Sequence, residues 1–359
     1  MAAVSSDRIP LYTIALPALG IVTWLAVGKA QSWPLALLLG VVLLGNVISA
    51  VYHAEVIAIR IGEPFGTLVL ALAVTVIEVG LIVVLMVSGE PNPALMRDSV
   101  HAVVMLVLHG LAGLCIVICA IRHREPEFQV AGANAFLAVL IPMAILVMVV
   151  PNYAVSAPGP YYSPLQLIFV SVACLVLYGA FLFIQTGWHQ AYFLPVGDDD
   201  TEPPTPPSWR ITLVSFALLP VALLAVVILA KGLTPALEAA RAAVDAPVAV
   251  VGVVIAAIVL LPEAVAAMRA AARNRLQSSI NLALGSGVAS IGLTVPAVAV
   301  VSRVIDQPLE LGISTNSSVL MALGFLIAVI TYGTGRTNLL SGIVHLVLVA
   351  TYFFMTFVP

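Results

Sequence analysis

The sequence predicts an all-α protein that crosses a membrane about eleven times, and three observations predict it. Of 359 residues, 62% are apolar and 9% charged, and the mean hydropathy is +1.15, a balance that no water-soluble fold requires. The apolar residues gather into about eleven runs, each near the roughly 20 residues that a helix needs to cross the hydrocarbon core. One long polar segment, residues 188–209, divides these runs into one leading helix plus five, and then five more.

Each element follows from local composition. Residues 1–32 hold the leading run, 11–30, which follows MAAVSSDRIP without a clear cleavage site and so reads as a retained span rather than a signal peptide. The first five-helix repeat, 33–187, contains runs at 33–53, 66–88, 100–121, 134–153 and 164–186. In the connector, 188–209, Asp198, Asp199, Asp200 and Glu202 precede Pro203, Pro204, Pro206 and Pro207, and the prolines argue against a continuous helix there. The second repeat, 210–359, contains runs at 210–230, 246–268, 278–302, 317–335 and 337–357. Repeats with an odd number of spans insert with opposite orientation. This is the inverted-topology plan of many secondary transporters, whose binding site lies at the repeat interface near the bilayer midplane. Cytoplasmic loops are enriched in Lys and Arg. With the N-terminus inside, nine of the 14 basic residues are cytoplasmic, among them Arg122, Arg124, Arg269, Arg273 and Arg275. The acidic connector then faces the cytoplasm and the C-terminus lies outside.

Composition also excludes. The net charge of -3 with no basic block gives no indication of nucleic-acid binding. Cys115, Cys119 and Cys174 fall inside predicted spans without metal-ligand spacing to histidine, and read as small apolar helix residues. The partners left are membrane lipid and inorganic cations, with room for a homo-oligomer.

A carboxylate near the middle of a spanning helix costs at least roughly 2.5 to 3.5 kcal/mol on insertion scales, so it marks a functional site by default. Glu78, in GTLVLALAVTVIEVGLIVVLMVSG, and Glu263, in APVAVVGVVIAAIVLLPEAVAAM, are so placed, each in the second run of its repeat. They would face each other across the pseudo-two-fold axis as the metal-binding pair. Thr75, three residues before Glu78, shares its helix face and either presents a hydroxyl oxygen to the same cation or bonds to the backbone one turn back. Pro262 cannot donate to the carbonyl of Ile258 and leaves that oxygen free beside Glu263, although a packing kink is the plain alternative. Ser286 and Ser290, one turn apart, would add oxygens next to Glu263, while Gly285 and Gly287 equally suit close helix packing.

Glu55, at the end of the second run, and Glu63, in the connection after it, stand as gate or proton-relay candidates beside a plain interfacial role. His109 and His345, like His101, are expected inside spans, where they relay protons or bond between helices. Asn46 and Asn338 read as interhelical hydrogen-bond formers. Two rival functions remain. A passive channel would carry cation without counter-moving protons, and an intramembrane hydrolase would use Ser286 with His345 as base, leaving both glutamates unexplained.

At these residues the chain resembles the cation/proton exchanger branch of the calcium/cation antiporter superfamily, and within it the bacterial ChaA-type calcium(sodium, potassium)/proton antiporters. AEVIAIRIGEPFG followed by TLVLALAVTVIEV is similar to the family's Gly-rich lead-in and Gly-Asn-Ala-Val-Glu-Leu core. LLPEAVAAMRAAARNRLQSSINLALGS resembles its Gly-Asn-Ala-Ala-Glu-His segment, Lys-Asn-Lys linker and Gly-Ser element. The resemblance places ion-binding glutamates on Glu78 and Glu263, the linker on Arg273, Asn274 and Arg275, and the Gly-Ser pair on Gly285 and Ser286. It implies a non-enzymatic secondary antiporter of the bacterial cytoplasmic (inner) membrane, without a resident cofactor, moving H+ against Ca2+, Na+ or K+. Three departures stand out: Thr75 in place of Asn, Pro262 in place of a small residue, and Ala289 in place of a ligand-forming Gln. With fewer amide oxygens, calcium selectivity does not carry over, and Na+ or K+ are expected as substrates too.

Overall fold

The computed structural model describes residues 9–30, 32–62, 65–88, 92–194 and 206–358. Glu63 and the acidic run Asp198 to Glu202 lie outside the described residues. Among those described there are thirteen α-helices: α1 Leu11–Val27, α2 Trp33–Ile61, α3 Phe65–Ser88, α4 Leu95–Met105, α5 Ala112–His123, α6 Val130–Met148, α7 Pro164–Phe183, α8 Trp209–Ala243, α9 Ala249–Ala272, α10 Leu276–Ala289, α11 Val295–Val304, α12 Thr315–Tyr332 and α13 Leu339–Phe357. A π turn at Leu106–Leu111 joins α4 to α5, and another at Ser290–Thr294 joins α10 to α11, so each pair is one span. Ten helices are then long and apolar enough to cross a membrane, and α1 is a shorter apolar helix.

The distribution of polarity is the reverse of a water-soluble bundle. Leu37, Val176 and Phe216 are 71%, 62% and 68% exposed, while Asn46, Ser99, Ser279, Thr294 and His345 are buried. Hydrocarbon offers no hydrogen bonds, and an unsatisfied polar group in it costs several kcal/mol.

Two helices outrun the expected ends. Past residue 53, AEVIAIRI keeps burying Ala54, Val56 and Ile57, so α2 continues to Ile61 and carries Glu55 inside the helix rather than at its end. α8 passes Lys231 and Gly232 and reaches Ala243. Gly232 is held by its carbonyl, which accepts from the Ala30 N–H at 2.9 Å, and ALEAARAA beyond it is rich in strong helix formers. The connector also begins inside the fold and not as an exposed loop. Gln190–Phe193 form a 3-10 turn, Phe193 is buried with its ring 5.4 Å from that of Phe136, and its carbonyl accepts from Asn281 Nδ2 at 2.6 Å.

The chain divides into two compact units, each drawing on both halves of the sequence: Met1–Asn92 with Glu202–Val251, and Pro93–Thr201 with Gly252–Pro359. In the first unit α2 packs against α1, α3 and α8. A Cβ at Gly20 would meet Asn46 Nδ2 at 2.7 Å and Ala225 Cβ at 3.0 Å, so α1, α2 and α8 meet where only hydrogen fits. Asn46, expected to bond across helices, donates to the Val42 carbonyl of its own helix at 2.8 Å. The helices are tied instead by His53, whose Nε2 lies 3.0 Å from the Thr13 carbonyl and whose Nδ1 lies 3.0 Å from Ser215 Oγ. A carbonyl only accepts, so Nε2 carries the proton and Nδ1 accepts from the serine hydroxyl.

In the second unit the α4–α5 span is central, packed by α10 and α13. Arg97 pins its first turn, bonding Asp98 through Nε at 2.9 Å, the Gly312 carbonyl through Nη1 at 3.0 Å, and Glu310. Asn338, the other expected interhelical asparagine, instead caps α13 by accepting from the Ser341 N–H at 3.2 Å.

Candidate cation site

In the first unit, Glu78 sits about 20 Å along α3 at ~1.5 Å per residue and is 1% exposed, flanked by the buried Ile77, Leu81 and Ile82. Thr75 lies on the same helix face. Its hydroxyl donates to the Ala71 carbonyl at 2.8 Å, the back-bonded arrangement, and this fixes the rotamer and leaves the oxygen lone pairs as acceptors. Glu55, on α2 of the same unit, is half-buried.

In the second unit, α9 runs through Pro262 without a break, so the helix contains a carbonyl, that of Ile258, to which position 262 donates nothing. Glu263 follows, half-buried. Ser279 Oγ donates to the Ala267 carbonyl at 2.8 Å and sets the register of the α9–α10 hairpin. Counting along both helices from that bond puts Ala283 level with Glu263, Ser286 about one turn (~5 Å) further on and Ser290 about two turns (~10 Å). The half-buried Ser286 is therefore the nearer hydroxyl in depth, and the buried Ser290 opens the π turn.

His109 and His345 come together. The Nδ1 atoms are 2.8 Å apart, the rings are stacked with centroids 5.0 Å apart at 25°, and both side chains are fully buried. His345 Nε2 lies 3.1 Å from Thr331 Oγ1. Both of its ring nitrogens are thus engaged, and neither is left to activate Ser286 as a hydrolase would need. His101 instead stacks edge-on to Tyr352, centroids 5.0 Å apart.

The sequence reading singled out neither Thr331 nor the π turns, which are the two that join helices and a third, Ile184–Trp188, that follows α7. The second turn has a legible cause, since Pro296 lacks the N–H that would bond the Gly292 carbonyl and its ring crowds that oxygen, and widening the preceding turn relieves both. The first, LVLHGL, contains no proline, and nothing in its composition announces it.

Comparison with known proteins bears on the family and the fold. A profile described as sodium/calcium exchanger protein matches residues 31–187 and 214–358. The chain is similar to the putative ionic transporter y4hA of Sinorhizobium fredii (strain NBRC 101917 / NGR234), 42% identical over 99% of this chain and 98% of that one. It is similar also to the sodium-potassium/proton antiporter ChaA of Escherichia coli (strain K12), 33% identical over 96% of each. The solved structure of native YfkE shares the fold, with a TM-score of 0.74 at 19% identity over 97% of this chain and 99% of that one. The chain therefore belongs to the sodium/calcium exchanger protein family, in the cation/proton exchanger branch of the calcium/cation antiporter superfamily.

Proposed function

We propose that this multi-pass protein is a secondary antiporter of the bacterial cytoplasmic membrane that exchanges H+ for Na+, K+ or Ca2+, using Glu78 and Glu263 as the groups that hold either cation or proton. The observation that carries the reading is Glu78, a carboxylate 1% exposed far inside a long apolar helix. An ionised group there is tolerated only when neutralised, by a proton or by a bound cation. If the site changes sides only in a neutralised state, cation leaving one way must be replaced by proton leaving the other, and a leak is avoided.

Thr75 and Ser286 supply hydroxyl oxygens to the cation, Ser290 a more distant one, and the Ile258 carbonyl a backbone oxygen. These are hard neutral ligands of the kind that Na+ and Ca2+ share, with number and spacing deciding between them. Monovalent exchange is supported by the name of the 33% identical relative, a sodium-potassium/proton antiporter, and by the loss of amide ligands at Thr75 and Ala289. Glu55 and Glu63 serve cation or proton entry. The N-terminus is inside.

The test is exchange by the purified protein in proteoliposomes with an imposed pH gradient, scanning Ca2+, Na+ and K+. Cation uptake coupled to proton efflux is expected, abolished by Glu78→Gln and by Glu263→Gln in protein that remains folded. Cation flux without proton movement would make it a channel. Full exchange by either glutamine variant would sink the two-carboxylate mechanism.

A further inference from the structure

We propose that His109 and His345 form a second proton-binding site, a buried imidazole pair that takes up and releases one proton during the exchange cycle. The inference rests on the antiport reading above and adds to it a titrating group that is not a carboxylate.

The geometry points to proton storage. Two Nδ1 atoms 2.8 Å apart must share one proton, because two bare lone pairs or two N–H groups would repel at that distance. If His345 donates it, His109 carries its other proton on Nε2, and His345 Nε2 accepts from the Thr331 hydroxyl. If His109 donates it, His345 Nε2–H donates to Thr331 Oγ1, and His109 Nε2 is a bare acceptor. His109 Nε2 is buried against Gly324 and has no hydrogen-bond partner among the described residues. The two neutral tautomers are therefore interchangeable, and each has one vacant ring nitrogen. One added proton forms one N–H bond at that nitrogen and turns both tautomers into the same cation, with Thr331 Oγ1 accepting from His345. Loss of the proton restores the neutral pair, and the proton gradient supplies and removes it. His53 differs in kind, because a carbonyl fixes its tautomer.

The pair's setting is that of a working group. His109 lies within the π turn Leu106–Leu111, and such turns are frequent at functional sites. Gly113 lets α13 approach so closely that a Cβ there would meet His345 Cβ at 2.7 Å, which fixes the spacing of the rings. Helix α9 runs alongside, Gly252 against Asp98 and Ser99, with Ala256 and Leu260 in one cluster with Ala102 to Val107. Continuing that register brings Glu263 to the depth of His109 and Gly110.

The titratable and charged groups around the pair are few. Tyr332 on α12 has its ring 5.9 Å from His345, Cys115 lies on α5, His101 lies two turns back on α4, and Glu263 lies at the same depth on α9. Arg97 and Asp98 stand at one end of the α4–α5 span, and Arg122 and His123 at the other. No group of three His, Cys, Asp or Glu side chains able to hold a metal ion forms among the described residues.

The test uses the full chain in proteoliposomes. His109→Asn keeps an amide near the Nδ1 position and so the bond to His345, but cannot take up a proton. His345→Gln keeps a polar atom toward Thr331 and removes the shared bond. Both should retain exchange, with a pH profile shallower by one proton, a tenfold smaller change per pH unit on the limb it governs. Wild-type profiles in both variants would overturn the proposal, whereas loss of proton-coupled flux in the parent protein would overturn the antiport reading instead. Should neither variant fold, 15N NMR of the wild-type imidazoles decides. Joint titration of the two rings by one proton between pH 5 and 9 supports the site. A fixed protonation state, or titration replaced by stoichiometric Zn2+ binding, rejects it.

Discussion

Thr75→Val separates the structural from the functional role of the hydroxyl beside Glu78. Valine matches threonine in shape, so packing at this 7% exposed position is kept. What is lost structurally is one bond from Oγ1 to the Ala71 carbonyl. Side-chain bonds in membrane helices average about 0.6 kcal/mol with a ceiling near 1.7, and that carbonyl keeps its helical N–H partner at position 75, so the loss belongs at the low end. Thermal stability in detergent should fall only slightly. If Thr75 Oγ1 is a cation ligand, its removal leaves an oxygen that no side chain replaces, and the apparent Na+ affinity should fall at least about tenfold, roughly 1.4 kcal/mol. Thr75→Ser should keep most of the affinity. The assay is the Na+ dependence of proton efflux from proteoliposomes at fixed pH. A folded Thr75→Val protein with an apparent affinity within about twofold of the parent would refute the hydroxyl's role and leave the back-bonded rotamer as its full explanation.

Four further outcomes are expected. Pro262→Ala restores the N–H to the Ile258 carbonyl; it should raise thermal stability, Pro being about 3 kcal/mol less favourable than Ala inside a helix, and weaken cation binding, both read from unfolding and exchange on one preparation. Thr75→Asn with Ala289→Gln should shift preference from Na+ and K+ toward Ca2+ in competition assays, and no shift would count against the missing-amide account. Asp199→Cys should be labelled by impermeant thiol reagents in everted vesicles and not in intact cells; the opposite result would invert the topology. Exchange should rise from pH 7 to 9 as protons compete less with cation for the site, with the same profile in His53→Gln, whose parent histidine is locked in one tautomer. Tyr162 contributes nothing over that range, because burial pushes its phenol up to about 12 and it donates to the Leu146 carbonyl at 2.6 Å.

The spans were legible because lipid imposes one rule, a run of apolar residues long enough to cross, and the eleven runs reappear as helices. Their ends were less legible. Lys231-Gly232 reads as a stop, yet tertiary contact at Gly232 and the alanine-rich stretch after it carry α8 onward. The glutamates stood out because charge inside an apolar run is costly wherever the chain goes. Partner choice was not legible: nothing local distinguishes His53, held by Thr13 and Ser215, from His345, held by His109 and Thr331, since each set of partners comes from elsewhere in the sequence. Asn46 and Asn338 show the same limit, one bonding its own helix and the other capping a helix start.

The two π turns carry the comparison of the halves further than residue identity does. One lies in the span Leu95–His123 and the other in Leu276–Val304, the third span of each five-span half, immediately after the span that holds the half's glutamate. Pro296 gives the second turn a local cause, and a third π turn, Ile184–Trp188, ends the fifth span of the first half, so what the halves share is the position of the distortion and not its origin. The residues on the two turns differ in chemistry, however. The first presents an imidazole, His109, and the second presents two hydroxyls, Ser290 and Thr294. An imidazole nitrogen can bind a proton, whereas a hydroxyl offers a cation a neutral oxygen. If Ser290 and the His109–His345 pair act as proposed above, the first turn serves the proton and the second the metal cation. Exchanging the chemistries should accordingly damage both functions: Ser290→His ought to lower apparent cation affinity, and His109→Ser ought to flatten the pH profile. If Ser290→His alters neither cation affinity nor pH response in folded protein, the second turn is a packing feature and the division of labour between the halves does not hold.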